Sequence, residues 1–125
     1  MYKGIYDSVS ESNRGDAKVA ASKEAVIKDL KRYIAVLRKN GFPIQRAMLF
    51  GSWAKGAGRE ESDVDVALIS DAFTGDRFQD RRKIVPFRRK INNRIEPMPF
   101  DTRTFSTGGN LIDEILNSGE EIVVS

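Results

Sequence analysis

Two short apolar runs constrain this chain more than any other feature. Ile44–Phe50 follows Pro43 and is closed by Gly51-Ser52, and Val64–Ile69 follows Ser62-Asp63. Both are too short for buried helices and are bounded by turn residues, so both read as strands. The second run opens Asp63-Val64-Asp65-Val66. Residues two apart on a strand project from the same face, so Asp63 and Asp65 share one face while Val64 and Val66 pack on the other. Any fold this chain adopts must seat a pair of carboxylates beside its own core.

The rest of the chain supplies alternating partners for these strands. From Ala17 to Asn40 the apolar residues Val26, Ile27, Leu30, Tyr33, Ile34 and Leu37 recur at helical spacing. Ser22 is a plausible N-cap, with a start near Asp16 as the alternative; Arg38 and Lys39 suit the C-terminal dipole end and Asn40-Gly41 the stop. Trp53–Arg59 reads as a short helix that decays into a Gly-rich loop. Asp76–Lys90 reads as helix, with Phe78, Ile84, Val85, Phe87 and Ile91 as its apolar positions and Pro86 as an interruption. Arg94-Ile95-Glu96 is expected to form a third strand ended by Pro97 and Pro99. Leu111–Leu116 forms a last helix closed by Gly119, and Glu121–Val124 an edge strand. The expectation is an irregular or mobile lead-in over residues 1–15 and a single domain over 16–125. Its class is α/β (α+β), with a small mixed sheet flanked by helices.

Composition narrows the chemistry. The 125 residues, 40% hydrophobic with seven Phe, suit one core. With no cysteine, disulfides and thiolate metal sites are excluded, which fits a reducing cytoplasm. With no histidine, a serine–histidine triad, a histidine-bound zinc and a histidine base are all excluded. No apolar run approaches a membrane span, and the first twenty residues lack the apolar segment of a signal peptide. Acid–base or metal chemistry must therefore rest on Asp, Glu, Lys or Tyr. The net charge of +3 is unevenly spread: Arg77–Arg94 holds eight cations against one anion, Asp80. From charge alone that stretch is a solvated helix face; beside a phosphate site it would gain meaning.

Gly51-Ser52, placed directly after a strand, lets the backbone approach a ligand closely. A helix starting at Ser52 or Trp53 would aim its N–H groups at a phosphate. Two adjacent carboxylates repel unless a cation lies between them, and an all-oxygen donor set suits magnesium or manganese. Alone, each feature has a plain alternative: a turn, or a solvated strand face. Together, Gly51-Ser52, Gly56 and Ser62-Asp63-x-Asp65 resemble the nucleotidyltransferase superfamily typified by DNA polymerase beta. The resemblance is strongest to its minimal, stand-alone prokaryotic members, often paired as antitoxin with a helical HEPN-type toxin. It spans roughly residues 42–100 and is weaker to Val124.

The resemblance implies a polymerase beta-like fold and a metal-dependent nucleotidyltransferase. Such an enzyme moves a nucleoside monophosphate, AMP from ATP or another NTP, onto a hydroxyl of a protein or RNA acceptor. Asp63 and Asp65 would hold Mg2+ or Mn2+, Gly51, Ser52, Lys55 and Ser62 the nucleotide, and Glu96 would be the third carboxylate and metal ligand. Glu96 replaces the Asp common in the family and reaches one methylene further; a surface strand residue is its alternative. The acceptor implied among small relatives is a tyrosine of the helical partner. A second reading is a silent module that neutralises a partner by contact, and a third, resting on Arg77–Arg94 alone, is a basic nucleic-acid binder. Trp53, Tyr33, Phe50, Phe73, Phe78, Phe87 and Phe100 are read as core, and Thr107-Gly108-Gly109-Asn110 as a helix lead-in.

Overall fold

The structure, a computed structural model, describes residues 22–123. The expectations for residues 1–15, for a helix start near Asp16 and for Val124 lie outside them. Ser22 caps the first helix, α1 (Lys23–Lys39), its Oγ accepting from the Ala25 N–H at 3.1 Å. The helical stripe read from sequence is the buried one: Val26, Leu30, Tyr33, Ile34 and Leu37. Gly41, at φ +93, turns the chain out of the helix, where a side chain would be strained.

Strands β1 (Arg46–Phe50) and β2 (Val64–Ile69) pair antiparallel, with Phe50 opposite Asp65 and Arg46 opposite Ile69. A crossover through α2 (Arg77–Ile84) and a 3-10 turn (Val85–Arg88) returns the chain as β3 (Ile95–Phe100), parallel to β2. Helices α3 (Thr102–Thr107) and α4 (Asn110–Ser118) follow, and β4 (Glu120–Ile122) pairs antiparallel with β1. The sheet is mixed, in the order β3-β2-β1-β4.

Strand parity sorts the core into two layers. Ala47, Leu49, Val64, Val66, Leu68, Ile95 and Ile122 face α1, packed with Leu30, Tyr33 and Leu37. Met48, Ala67, Ile69 and Phe100 face α3 and α4, against Phe105, Ile112 and Ile115. Those two helices cover only one end of their face. The other end, where Asp65 pairs with Glu96, is left to polar chemistry.

Four details depart from the sequence expectations. Residues 51–56 are successive turns rather than a helix. They are closed by Lys55 N–H to the Gly51 carbonyl and Ala57 N–H to the Ser52 carbonyl, and Gly56 and Gly58 deny the segment helical stability. Strand β3 runs through Pro97 and Pro99 instead of stopping at them. The Arg94 and Phe100 carbonyls both accept from β2 residues or their extension, so Pro97 and Pro99, of opposite parity, turn their missing N–H outward on an edge strand. Helix α3 has weak apolar periodicity, and its Asp101 cap, bonded to the Thr104 N–H, was not anticipated. Phe78, read as core, is 69% exposed. The buried position in that turn belongs to Asp80, which accepts from Thr74 and Gly75 N–H groups and from the Thr74 hydroxyl. The interruption at Pro86 is found where expected, as the 3-10 turn.

Tyr33 ties α1 to the crossover: its buried hydroxyl donates to the Ile84 carbonyl at 2.7 Å, and burial pushes the phenol well above its ordinary pKa. Tyr33→Phe leaves that carbonyl without its partner. Chemical denaturation should show a loss of about 1–3 kcal/mol, with the fold retained.

Candidate active site

The site is assembled by the β1–β2 register. Phe50 pairs with Asp65, so the next residue, Gly51, leaves the strand over the Asp65 carboxylate. Gly51 has φ +75, and a Cβ there would lie 2.3 Å from Asp65 Oδ2. Only glycine satisfies both the backbone angle and the contact. The Gly-Ser turn and the acid pair, separated by the loop in sequence, therefore meet at one carboxylate.

Asp63 lies just before β2 and is exposed, while Asp65 is half-buried in the strand. Burial raises the Asp65 pKa above its ordinary value, and the charges of Asp63 and then Glu96 raise it further. Val64 and Val66 are buried on the opposite face, as the alternation requires. Glu96 stands beside Asp65 on β3. Its carboxylate is held by two guanidinium groups: Arg81 donates to Oε2 through Nε at 3.0 Å and through Nη2, and Arg88 Nη1 lies 3.4 Å from Oε1. Arg88 also donates to the Ile95 carbonyl at 2.7 Å.

Among the described residues, no group of three or more Asp, Glu, His or Cys side chains could hold a metal ion. Asp63, Asp65 and Glu96 are close enough to repel but do not converge. The chemistry of the donors still fits a hard divalent cation at Asp63 and Asp65: both are oxygen ligands, and the repulsion that raises Asp65 is what a cation would relieve. Glu96 is satisfied by arginine instead. Both ion pairs are partly exposed, and pairs of that kind are worth only about 0–1 kcal/mol each.

The remaining candidates divide by position. Ser52 is half-buried in the turn beside Gly51. Ser62 closes the loop, its Oγ accepting from the Arg59 N–H at 3.0 Å. Lys55 is exposed, with its Nζ 4.0 Å from Glu114 on α4. Trp53 is buried, and Gly58 lies so close over its ring that a Cβ would fall 2.2 Å from Cδ2, so Trp53 packs the turn. Much of the basic stretch is engaged: besides Arg81 and Arg88, Arg94 donates to the Glu61 carbonyl at 2.6 Å and Arg77 lies over the Phe100 ring. Arg81 and Arg88 are the site residues that the sequence reading did not single out. Their four- and two-residue relation to other cations resembles any basic helix face, and the only signal was the local excess itself.

The mixed sheet brings the Gly-Ser turn onto Asp65 of β2, with Asp63 just before the strand. The family described as "Polymerase beta, Nucleotidyltransferase" matches residues 31–125, and the chain belongs to it. It is a nucleotidyltransferase. A "putative protein adenylyltransferase" of Methanocaldococcus jannaschii is 32% identical over 101 residues, 78% of this chain and 95% of that protein. Among solved structures, a "putative nucleotidyltransferase" from Sulfolobus solfataricus superposes with a TM-score of 0.61 at 15% identity, covering 89% of this chain and 90% of the other. A "toxin-antitoxin with AMP-PNP" superposes at 0.53 with 16% identity, covering 79% and 73%. At these identities the two structures speak for the fold alone. Among the described residues, no helix is long and apolar enough to cross a membrane.

Two outcomes follow from the electrostatics and the close contact. Because the folded pKa of Asp65 is raised, the stability it contributes is present in acid and is lost as pH rises through the shifted value. Asp65→Asn should therefore raise the melting temperature at neutral pH, and the gain should vanish on acidification below the ordinary carboxylate range. Gly51→Ala should lower it, through roughly 1–2 kcal/mol of left-handed strain before the clash with Asp65 is counted.

Proposed function

We propose that this nucleotidyltransferase moves AMP from ATP onto a hydroxyl of a partner protein, with a divalent metal at Asp63 and Asp65. The observation that carries the reading is the contact of the Gly51 backbone with Asp65, which supports a phosphate cradle and a metal carboxylate at a single point. The M. jannaschii relative's name, a protein adenylyltransferase, favours adenylate as the group and protein over RNA as the acceptor.

In this reading Gly51 and Ser52 bind the outer phosphates, with Lys55 as an additional phosphate contact and Ser62 holding the loop that carries Asp63. Magnesium or manganese at Asp63 and Asp65 would neutralise the triphosphate and polarise its α-phosphate. The acceptor oxygen bonds to the α-phosphorus, the bond to the β-phosphate's bridging oxygen breaks, and pyrophosphate leaves with that electron pair. Glu96, once released from Arg81 and Arg88, is the third carboxylate: it takes the hydroxyl proton as general base, and only after that release would it reach the metal at Asp63 and Asp65. The partly exposed Arg81–Glu96 pair is weak enough for such a release. The partner is proposed to be a small helical toxin of the HEPN type, for which this chain acts as antitoxin in a reducing cytoplasm. A solved toxin–antitoxin structure with AMP-PNP shares this fold, and that likeness of fold is the ground on which the pairing is proposed.

The test mixes the protein with α-labelled ATP, magnesium and the product of the neighbouring reading frame. Label should pass to the partner, and Asp63→Ala and Asp65→Ala should each lower transfer by at least about 100-fold, as expected when a phosphate-gripping ligand is lost. Glu96→Gln should lower transfer while leaving ATP binding near wild type. Tight partner binding that survives both Asp substitutions, with no transfer from any nucleotide, would replace this reading with neutralisation by contact.

A further inference from the structure

Residues 84–92 are fastened to α1 at both ends. The Tyr33 hydroxyl donates to the Ile84 carbonyl at 2.7 Å, and the Asn92 side-chain amide donates to Asp29 Oδ2 at 3.1 Å. Between these points Pro86 ends the α-helical path, and the 3-10 turn leaves a groove of about 440 Å3 beside α1. Val36, Pro86, Phe87 and Ile91 line it, together with the cations Arg32, Arg89 and Lys90. Arg88, within the same turn, is directed instead to the Ile95 carbonyl and Glu96. The groove lies on the α1 side of the sheet. Asp65 and Glu96 project from the other face, opposite in parity to Val64, Val66 and Ile95.

The lining separates apolar floor from charged rim. Phe87 and Ile91 are half-buried and pack onto the core, whereas Arg32, Arg89 and Lys90 are exposed. Arg32 stands on the α1 side and Arg89 and Lys90 on the turn side, so positive charge borders the floor along both walls. No carboxylate lines the groove; Asp29 lies 3.6 Å from Arg32 but outside it. An occupant that is apolar along one face and acidic along both flanks complements this arrangement, and an amphipathic acidic helix has that pattern. A small polar ligand would need polar groups converging on the floor, which is made of Val36, Pro86, Phe87 and Ile91. A single-stranded nucleic acid would need a free aromatic face, but the half-buried Phe87 ring is packed against Phe42, with centroids 6.4 Å apart.

We propose that the groove between α1 and residues 85–91 is a docking site for an acidic amphipathic helix of a partner protein. The helix lays its apolar side chains on Phe87 and Ile91 and its carboxylates beside Arg32, Arg89 and Lys90. The fastenings at Ile84 and Asn92 form the groove before any partner arrives, so binding carries little ordering cost on this side. The surface is separate from the Gly51–Asp65 site and does not depend on the transfer reading.

The probe is a synthetic helical peptide of leucine and glutamate, its leucines spaced three and four residues apart, titrated into the isotope-labelled full chain and followed by NMR. It should shift the Val36, Phe87 and Ile91 resonances and leave those of Gly51 and Asp65 in place. Arg89→Glu combined with Lys90→Glu should weaken binding about tenfold, the worth of two exposed ion pairs. Both residues are exposed, so the fold is retained, which an otherwise unchanged spectrum verifies. The same peptide with serine in place of leucine should not bind. Equal binding of the serine peptide would overturn the proposal by reducing the groove to a diffuse basic surface, and no shift at Phe87 or Ile91 with the leucine peptide would overturn it outright. Displacement of the peptide by a short oligouridylate would overturn it in favour of a nucleic-acid surface. Contacts between residues 1–21 and Phe87 in the free protein would give the groove to the chain's own N-terminal segment. Self-association abolished by Arg89→Glu would give it to a second copy, and either result would overturn the assignment to a partner.

Discussion

The backbone of Gly51 pressed against the carboxylate of Asp65 is the constraint on which the rest of this site depends. It follows from a register: Phe50 pairs with Asp65, and the chain must leave β1 at the next residue. A slip of one residue would turn Asp65 into the α1 layer against Leu30, Tyr33, Leu37 and Leu49, and turn Val64, Val66 and Leu68 out of it, bringing an unpaired charge into an apolar core. The hydrophobic alternation of β2 therefore fixes the site as firmly as it fixes the fold. The buried valines hold the acid in place.

The site also shows how a surplus of negative charge is contained before any ligand arrives. Asp63 and Glu96 both raise Asp65, so the face would carry three repelling carboxylates if nothing intervened. Arg81 and Arg88 counter part of the Glu96 charge from the crossover, while Asp63 stays exposed to solvent. The basic stretch from Arg77 to Arg94 is thus largely spoken for by its own chain: by Glu96, by the Ile95 and Glu61 carbonyls, and by the rings of Phe78 and Phe100. From charge alone the stretch is a solvated helix face that would gain meaning only beside a phosphate site. The contacts turn it into the frame of an acid cluster.

What could be read from sequence was what is encoded by short-range pattern. The α1 stripe, the Ser22 cap, both central strands and the parity of Asp65 against Val64 and Val66 are all periodicities of 3.6 or 2, and all are found. The misreadings have tertiary causes. Pro97 and Pro99 end a strand only if their N–H positions face a neighbour, and being on the sheet edge removes that condition. Phe78 looks like a core residue in any window of α2, but the turn at Thr74-Gly75 needs a buried acceptor and Asp80 takes the inward position. The Arg81–Glu96 contact joins residues fifteen apart through a crossover whose placement no local pattern specifies.

Phe78 is where that failure becomes informative. A phenylalanine left in solvent costs the folded state the burial it would otherwise gain, about 1.5–3 kcal/mol for a side chain of this size. A single exposed apolar residue is ordinary on a protein surface and by itself means little. Here it stands at the mouth of a cleft whose inner end is Asp65, on the side opposite the Gly51 turn. The helix that carries Phe78 also carries Arg81, three residues on along the same face, to Glu96. One helix therefore sets both the exposure of Phe78 and the arginine that holds the third carboxylate.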